Sequence, residues 1–99
     1  MPNLPFVIIP CFNEEKRLNT NEFIQLAKTE RVNLIFVDDG SSDGTLKRLE
    51  IIQEASCLVA IEKMGSNVGK GEAVRRGLNI AVSCGAQIVG YFDAGNSYK

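Results

Sequence analysis

The sequence predicts a three-layer, doubly wound α/β domain with a four-stranded parallel sheet, in the order β-α-β-α-β-α-β. Two observations predict it. Four short apolar runs are continuous rather than alternating, which is typical of strands covered on both faces. The segments between these runs carry apolar residues at helical spacing, and right-handed crossovers with this alternation build half of a doubly wound sheet. The four runs are residues 6–10, 34–37, 57–61 and 88–92.

The first two helices are predicted from residues that favour N-terminal caps. Asn19 followed by Glu22 resembles a capping box, and Ser42 and Asp43 are cap-forming residues ahead of the second helix. Apolar residues at helical spacing follow each cap. They are Phe23 and Leu26 in the first helix, and Leu46, Leu49 and Ile52 in the second.

The third helix has the clearest pattern. Its apolar residues recur at i, i+1, i+4, i+5, i+8 and i+9, which predicts one buried face. Gly85 follows as a C-terminal stop signal. The fourth apolar run comes after this stop and completes the alternation. The positions of the stripe are Ala73, Val74, Gly77, Leu78, Ala81 and Val82.

Composition limits the class of protein. The chain has 99 residues, 44% of them hydrophobic, which fits a single domain over residues 1–99. A net charge of −1 gives no overall attraction to nucleic acid or anionic lipid, and no apolar run approaches the ~20 residues that span a bilayer. The chain has no histidine, so acid–base chemistry would come from carboxylates, lysine, tyrosine or cysteine.

The three cysteines predict a reducing compartment. Cys11, Cys57 and Cys84 are odd in number and lack metal-type spacing. Two of them sit in or beside apolar runs, as buried reduced thiols do. We therefore expect a soluble cytoplasmic chain without disulfides.

The carboxyl ends of the predicted strands are the candidate site. A parallel sheet gathers these ends along one edge, where open α/β sheets bind ligands. Several carboxylates converge there, and such crowding favours a ligand that donates hydrogen bonds or a metal ion. For residues 41–45 a simple turn and helix cap is an equally good interpretation, whereas for Asp38 it is weaker. The polar residues at these ends are Cys11, Phe12, Asn13 and Glu14, then Asp38 and Asp39, then Glu62 and Lys63, and finally Asp93.

A glycine-rich loop over residues 65–73 opens the third helix. Exposed amides and Lys70 at a helix start suit a phosphate group. The glycine spacing fits neither a P-loop nor the dinucleotide-binding fingerprint, so phosphate binding is predicted without those two families. Arg75 and Arg76 could assist, although a basic pair on a helix more often forms a solvated face.

Three segments in series resemble the family-2 glycosyltransferases with the GT-A fold. They are Pro-Cys-Phe-Asn-Glu at residues 10–14, Val-Asp-Asp-Gly-Ser-Ser-Asp-Gly-Thr at 37–45, and Asn-Val-Gly-Lys-Gly-Glu-Ala at 67–73. The likeness is greatest to the branch that makes polyprenyl-phosphate and dolichyl-phosphate sugars, and it extends from residue 5 to about residue 95. It implies the Rossmann-like, nucleotide-sugar-binding half of the GT-A fold, a single domain truncated at residue 99.

The resemblance also implies a site. Asp38 would accept a hydrogen bond from the base of a UDP-sugar or GDP-sugar, and Asp93 would begin an Asp-x-Asp element that holds Mn²⁺ or Mg²⁺. Gly95 stands where the second aspartate of that element is expected. No catalytic residue is assigned, because the family's catalytic carboxylate lies in its other half. The implied nucleotide-binding residues are Pro10, Phe12, Asn13, Glu14, Asp38, Asp39, Asn67, Gly69, Lys70 and Asp93.

Three hypotheses about function follow. The first is inverting transfer of a sugar from UDP-sugar or GDP-sugar to an acceptor such as a membrane polyprenyl phosphate, with this chain as the donor-binding half. The second is a non-catalytic fragment or a nucleotide-binding module that works by association. The third, a nucleotidyltransferase or other nucleotide binder, does not predict the three motifs in series. We also expect the strand that ends at Asp93 to be an exposed apolar edge, which predicts a homo-oligomer.

Overall fold

The computed structural model describes residues 3–93 and has the predicted element order. Its four strands form one parallel sheet in the order β3-β2-β1-β4. The third strand begins two residues later than predicted, because residues 56–58 form a turn in which the Ser56 carbonyl accepts from the Val59 N–H. The elements are β1 (Phe6–Cys11), α1 (Thr20–Lys28), β2 (Asn33–Asp38), α2 (Thr45–Gln53), β3 (Val59–Lys63), α3 (Lys70–Ser83) and β4 (Val89–Tyr91).

The strand order reverses between β1 and β4. The chain runs outward from β1 to β2 and β3, and α3 then returns it to the other side of β1. The helices α1 and α2 pack on one face of the sheet against residues such as Ile9 and Phe36, whereas α3 packs on the other face against Ile8 and Ile35. In open α/β sheets such a reversal leaves a crevice at the carboxyl ends of the strands, where ligands bind.

The third helix lies close to the sheet because of Gly77. A Cβ atom at Gly77 would lie 2.5 Å from Cγ2 of Ile8, so only glycine fits there without a shift. Ala73 and Ala81 are buried on the same line of the helix. The predicted stripe also included the residue after each of these three, and the structure corrects that prediction. Val82, for example, is 66% exposed. Successive side chains on a helix point about 100° apart, so the neighbour of a buried residue turns away from the sheet.

Two predicted helix ends are confirmed and one is wrong. Asn19 caps α1, and its Oδ1 accepts from the Glu22 N–H at 3.2 Å. Gly85 has φ +83° and follows α3 as predicted. For α2, Gly44 occupies the N-cap position instead of Ser42, and Asp43 accepts from the Thr45 N–H from outside the helix.

Burial separates the central strands from the outer ones. The last four residues of β1 and the last five of β2 are buried, but most of β3 and β4 is half-buried or exposed, so the prediction of cover on both faces holds only at the centre. Of the two buried thiols expected, the structure buries only Cys11, and Cys57 and Cys84 are exposed. Among residues 3–93 no helix has both the length and the apolarity to cross a membrane.

Candidate functional site

The turn after β1 is tied to the loop after β2. The Asn13 N–H donates to Oγ of Ser41 at 2.9 Å, and the Asn13 side chain accepts from the Ser42 N–H at 2.9 Å. The next amide, that of Glu14, donates to Oγ1 of Thr45 at 2.8 Å. Asn13 has φ 51°, a left-handed conformation that these bonds hold in place. The hydroxyl groups of Ser41 and Thr45 and the Ser42 N–H therefore fix the shape of the first turn, a role that the sequence did not predict.

Asp38 ends β2 inside this pair of loops. Its side chain accepts from the Ser41 N–H through Oδ1 at 3.2 Å, and the residue is 5% exposed. The second carboxylate oxygen accepts no hydrogen bond from the described residues. A buried carboxylate favours a partner for each oxygen, so this oxygen is available to a donor on a ligand.

Asp39, the next residue, is fully buried and faces the glycine-rich loop. Its two oxygens accept from the Val68 N–H at 2.8 Å and from the Gly69 N–H at 2.9 Å. The side chain of Asn67 adds a third bond to Asp39 at 3.1 Å. This carboxylate thus occupies the anion position just ahead of α3.

This arrangement corrects one prediction from the sequence. Exposed amides were expected in the glycine-rich loop, but the Asp39 carboxylate already binds those of Val68 and Gly69. Gly40 allows the approach, because it has φ +73° and its missing Cβ would lie 2.5 Å from the backbone nitrogen of Asn67. What remains at this helix start for an anion is the Lys70 side chain and the amides of the first turn.

Lys70 joins the start of α3 to the end of β4. Its Nζ lies 2.6 Å from Oδ2 of Asp93 and 5.2 Å from the centre of the Tyr91 ring. The hydrogen bond to Asp93, followed by the contact with Tyr91, raises the pKa of Lys70 above its usual value. Both charged side chains are partly exposed, so a ligand can reach them. Tyr91, the last residue of β4, was not predicted as part of the site.

Glu14 is the most unusual carboxylate of the site. It is fully buried, and neither of its oxygens has a hydrogen-bond partner in the described part of the chain. Buried ionisable groups are normally paired, and an exception calls for an explanation such as strain, a bound water or ion, or a catalytic role.

The predicted convergence of carboxylates is confirmed at Cys11. Burial is the largest influence that raises the pKa of this thiol, and the negative charges of Glu14, Asp38 and Asp93 raise it further. Three strand ends therefore bring their carboxylates within electrostatic reach of one atom. The same environment favours the protonated thiol, which is a weak nucleophile.

The remaining predicted residues differ in how buried they are and in what they contact. Pro10 is buried, Phe12 is half-buried, and Asn67 is exposed although its amide contacts Asp39. The basic pair on α3 forms a solvated face: Arg75 pairs with Glu72 on its own helix, and Arg76 pairs at 2.6 Å with a carboxylate on β3.

Comparison with known proteins identifies this arrangement. The family model described as glycosyl transferase family 2 matches residues 6–96, which include both loops and the start of α3. The chain belongs to glycosyl transferase family 2. The alternative of an unrelated nucleotide binder is thereby set aside.

Two relatives with named activities resemble this family-2 chain. The UDP-N-acetylglucosamine–dolichyl-phosphate N-acetylglucosaminyltransferase of Methanococcus voltae is 35% identical over 92% of this chain and 41% of its own length. The dolichyl-phosphate beta-glucosyltransferase of Dictyostelium discoideum is 34% identical over 73% of this chain and 25% of its own length. The chain thus spans only a quarter to two fifths of these two relatives.

The fold of this family-2 chain also matches solved structures. The crystal structure of S. aureus TarS in complex with UDP-GlcNAc superposes with a TM-score of 0.72 at 25% identity, and the match covers 92% of this chain and 26% of that one. The half-domain expected from the three motifs is confirmed as a fold.

The donor atoms of residues 3–93 do not fit the divalent ion that the resemblance implies. Across residues 3–93 no three side chains of His, Cys, Asp or Glu come together as a metal site. The implied ligand Asp93 is bound by Lys70, and Gly95 lies outside the described residues. The side chains of residues 94–99 include no carboxylate, imidazole or thiol, whereas Mg²⁺ and Mn²⁺ favour several oxygen ligands.

Proposed function

We propose that this chain binds the nucleotide of a UDP-sugar or GDP-sugar, as the donor half of an inverting glycosyltransferase. The observation that carries the proposal is Asp38. It is a nearly buried carboxylate at the carboxyl end of β2, the strand beside β1, with one oxygen bound by Ser41 and the other left for a ligand. Membership of family 2 and the UDP-GlcNAc bound in TarS support the choice of ligand.

Different residues bind different parts of the nucleotide in this proposal. Asp38 accepts a hydrogen bond from an N–H group of the base, since a carboxylate only accepts. Asn13 and Phe12 belong to the turn that the loop after β2 holds rigid, so they form a preorganised wall for the base and ribose. Lys70 is assigned to the phosphates. Its ammonium lies beside Asp93, whereas the nearby backbone amide of Val68 already donates to Asp39.

The acceptor is a polyprenyl phosphate in this proposal. Two relatives are named for transfer to dolichyl phosphate, and the chain covers less than half of each. Donor binding is therefore the step that we assign to the residues of this chain, and the transfer step is assigned to the whole protein.

Calorimetric titration with UDP and with GDP tests the proposal. Wild-type chain is compared with Asp38→Asn, which keeps the shape but loses the charged acceptor. Glu50→Gln, on the exposed side of α2, is the control. We expect one of the two nucleotides to bind, Asp38→Asn to weaken it on the order of tenfold or more, and Glu50→Gln to leave it unchanged. If neither nucleotide binds to folded wild-type chain, the proposal is wrong.

A second proposed role is association through β4. One side of this strand pairs with β1, and no strand of the described chain pairs with the other side. Ile88, Tyr91 and Phe92 are more than half exposed around it, and Phe92 also lines an apolar groove of about 330 Å³ beside α1. Exposed apolar edges favour pairing with another strand. We propose that two or more copies of the chain associate through this edge of β4.

A further inference from the structure

We propose that Lys70 supplies the positive charge for the donor's diphosphate in place of a divalent ion, so that nucleotide binding to this chain is independent of metal. The inference rests on the proposed donor site and specifies its phosphate end. It starts from the disagreement between the metal that the resemblance implies and the donor atoms that the chain offers.

Few carboxylate oxygens near the site are available to bind a divalent ion. Both oxygens of Asp39 accept from backbone amides of the glycine-rich loop. Asp38 has one oxygen bound by Ser41 and its other oxygen assigned to the base of the nucleotide, and Glu14 is fully buried. A divalent ion held only by Asp93 would have to displace the ammonium of Lys70, 2.6 Å away. One partly exposed carboxylate is a weak site for ions that favour six or more oxygen ligands.

Lys70 is placed to act as the cation itself. It is the first residue of α3, where the partial positive charge of the helix adds to its own charge. Asp93 accepts one of its three N–H donors, and the Tyr91 ring lies 5.2 Å away at cation–π distance. Together they hold the flexible side chain at the end of β4. The ammonium remains partly exposed, so a phosphate oxygen can approach a donor that Asp93 does not use.

Asp93 is then a positioning residue. Its carboxylate carries the charge that orients Lys70, and that role differs in a measurable way from the role of a metal ligand. A positioning role predicts that Asp93→Asn changes the affinity for the diphosphate equally with and without Mn²⁺. A role as a metal ligand predicts that Asp93→Asn changes this affinity only when Mn²⁺ is present.

The experiment titrates UDP, GDP and the corresponding nucleosides into the chain, in EDTA and again in MnCl₂. The variants are Lys70→Met, Asp93→Asn and, as a matched loss of one positive charge on the same helix, Arg75→Met. We expect the preferred diphosphate to bind equally in both buffers. Lys70→Met weakens the diphosphate on the order of tenfold and leaves the nucleoside unchanged, because a charged phosphate contact is lost and the base contacts are not. Arg75→Met binds as wild type does.

The outcomes separate the two proposals. Diphosphate binding that requires Mn²⁺, or that is the same in Lys70→Met as in wild type, overturns this inference and leaves the donor site intact. If no nucleoside or diphosphate binds in either buffer, both proposals are wrong. A readout without nucleotide completes the test: the electron paramagnetic resonance signal of free Mn²⁺ stays constant as chain is added. Loss of that signal on wild-type chain, but not on Asp93→Asn, also overturns the inference.

Discussion

One carboxylate oxygen of Asp39 lies 2.9 Å from the backbone nitrogen of Gly69, and this bond joins the end of β2 to the residue that precedes α3. The other oxygen accepts from the Val68 N–H at 2.8 Å. The carboxylate thereby sets the position at which α3 begins, and with it the position of Lys70. The geometry of the phosphate end therefore depends on a residue that need not touch the phosphate.

Replacing Asp39 tests that dependence. In Asp39→Asn the amide NH₂ group would face one of the two N–H donors, so the bond from that donor is lost. We expect the free energy of unfolding to fall by about 1.5–3 kcal/mol, the value of a hydrogen bond to a charged group. Urea denaturation measures it. Glu54→Gln, an exposed change at the end of α2, is expected to change stability by less than about 0.5 kcal/mol. Equal stability of the two variants would contradict the role given to Asp39.

The sequence predicts the elements of this fold better than it predicts the links between them. Continuous apolar runs and the cap at Asn19 depend on neighbouring residues, and these predictions were confirmed. The bonds from Asn13 to Ser41 and from Asp39 to Gly69 join residues 28 and 30 positions apart. No local pattern encodes such pairs. The prediction of exposed amides fails at Val68 and Gly69 for this reason, since their partner Asp39 follows a different strand.

Gly77 is expected to be intolerant of a methyl group. In Gly77→Ala the new Cβ would lie 2.5 Å from Ile8 and 3.3 Å from Val37, so α3 must shift from the sheet. We expect a loss of about 1–3 kcal/mol, as in other overpacked cores. Gly71→Ala on the same helix has open space and is expected to be neutral or to stabilise by up to about 1 kcal/mol. Thermal or urea unfolding of the pair measures the difference, and the opposite order would refute the packing argument.

Gly40 combines backbone strain with a steric conflict. Gly40→Ala places a side chain at φ +73° and against the backbone of Asn67, whereas Gly85→Ala, at φ +83°, meets open space. A left-handed conformation alone costs about 1–2 kcal/mol for a residue with a side chain. We expect Gly40→Ala to lose more stability than Gly85→Ala and also to weaken nucleotide binding, because it displaces the glycine-rich loop. If the two variants unfold at the same urea concentration, the loop does not pack on Gly40 as described.

The pKa of Cys11 predicts both reactivity and a dependence on pH. Burial and then the neighbouring carboxylates raise this pKa above the ordinary thiol value of 9.0. Above pH 9 the unfolded chain loses this proton and the folded chain keeps it. Stability is thus fully present below pH 9 and falls as pH rises beyond it, by up to about 1.4 kcal/mol per pH unit from this group.

Thiol labelling and alkaline denaturation check this prediction. A disulfide reagent at pH 8 is expected to modify Cys57 and Cys84 rapidly, and to modify Cys11 only after unfolding, because only Cys11 is buried. Cys11→Ala is expected to show a smaller loss of stability between pH 9 and pH 10 than wild type, since it lacks the titrating group. Three rapidly reacting thiols in the folded chain would contradict the burial of Cys11.

The outer side of β4 predicts the association state. The Ile88 carbonyl and the Phe92 N–H bond to β1, so in a parallel ladder the backbone groups of residues 89 and 91 point to the other side. We expect wild-type chain to self-associate as its concentration rises in sedimentation velocity. Ile88→Lys adds a charge beside this edge, where the native side chain is 65% exposed, and is expected to shift the chain to monomer. Ile51→Lys, a similar change of an exposed side chain on α2, is expected to leave association unchanged. A wild-type chain that stays monomeric at the highest attainable concentration would show that this edge does not pair with a second copy.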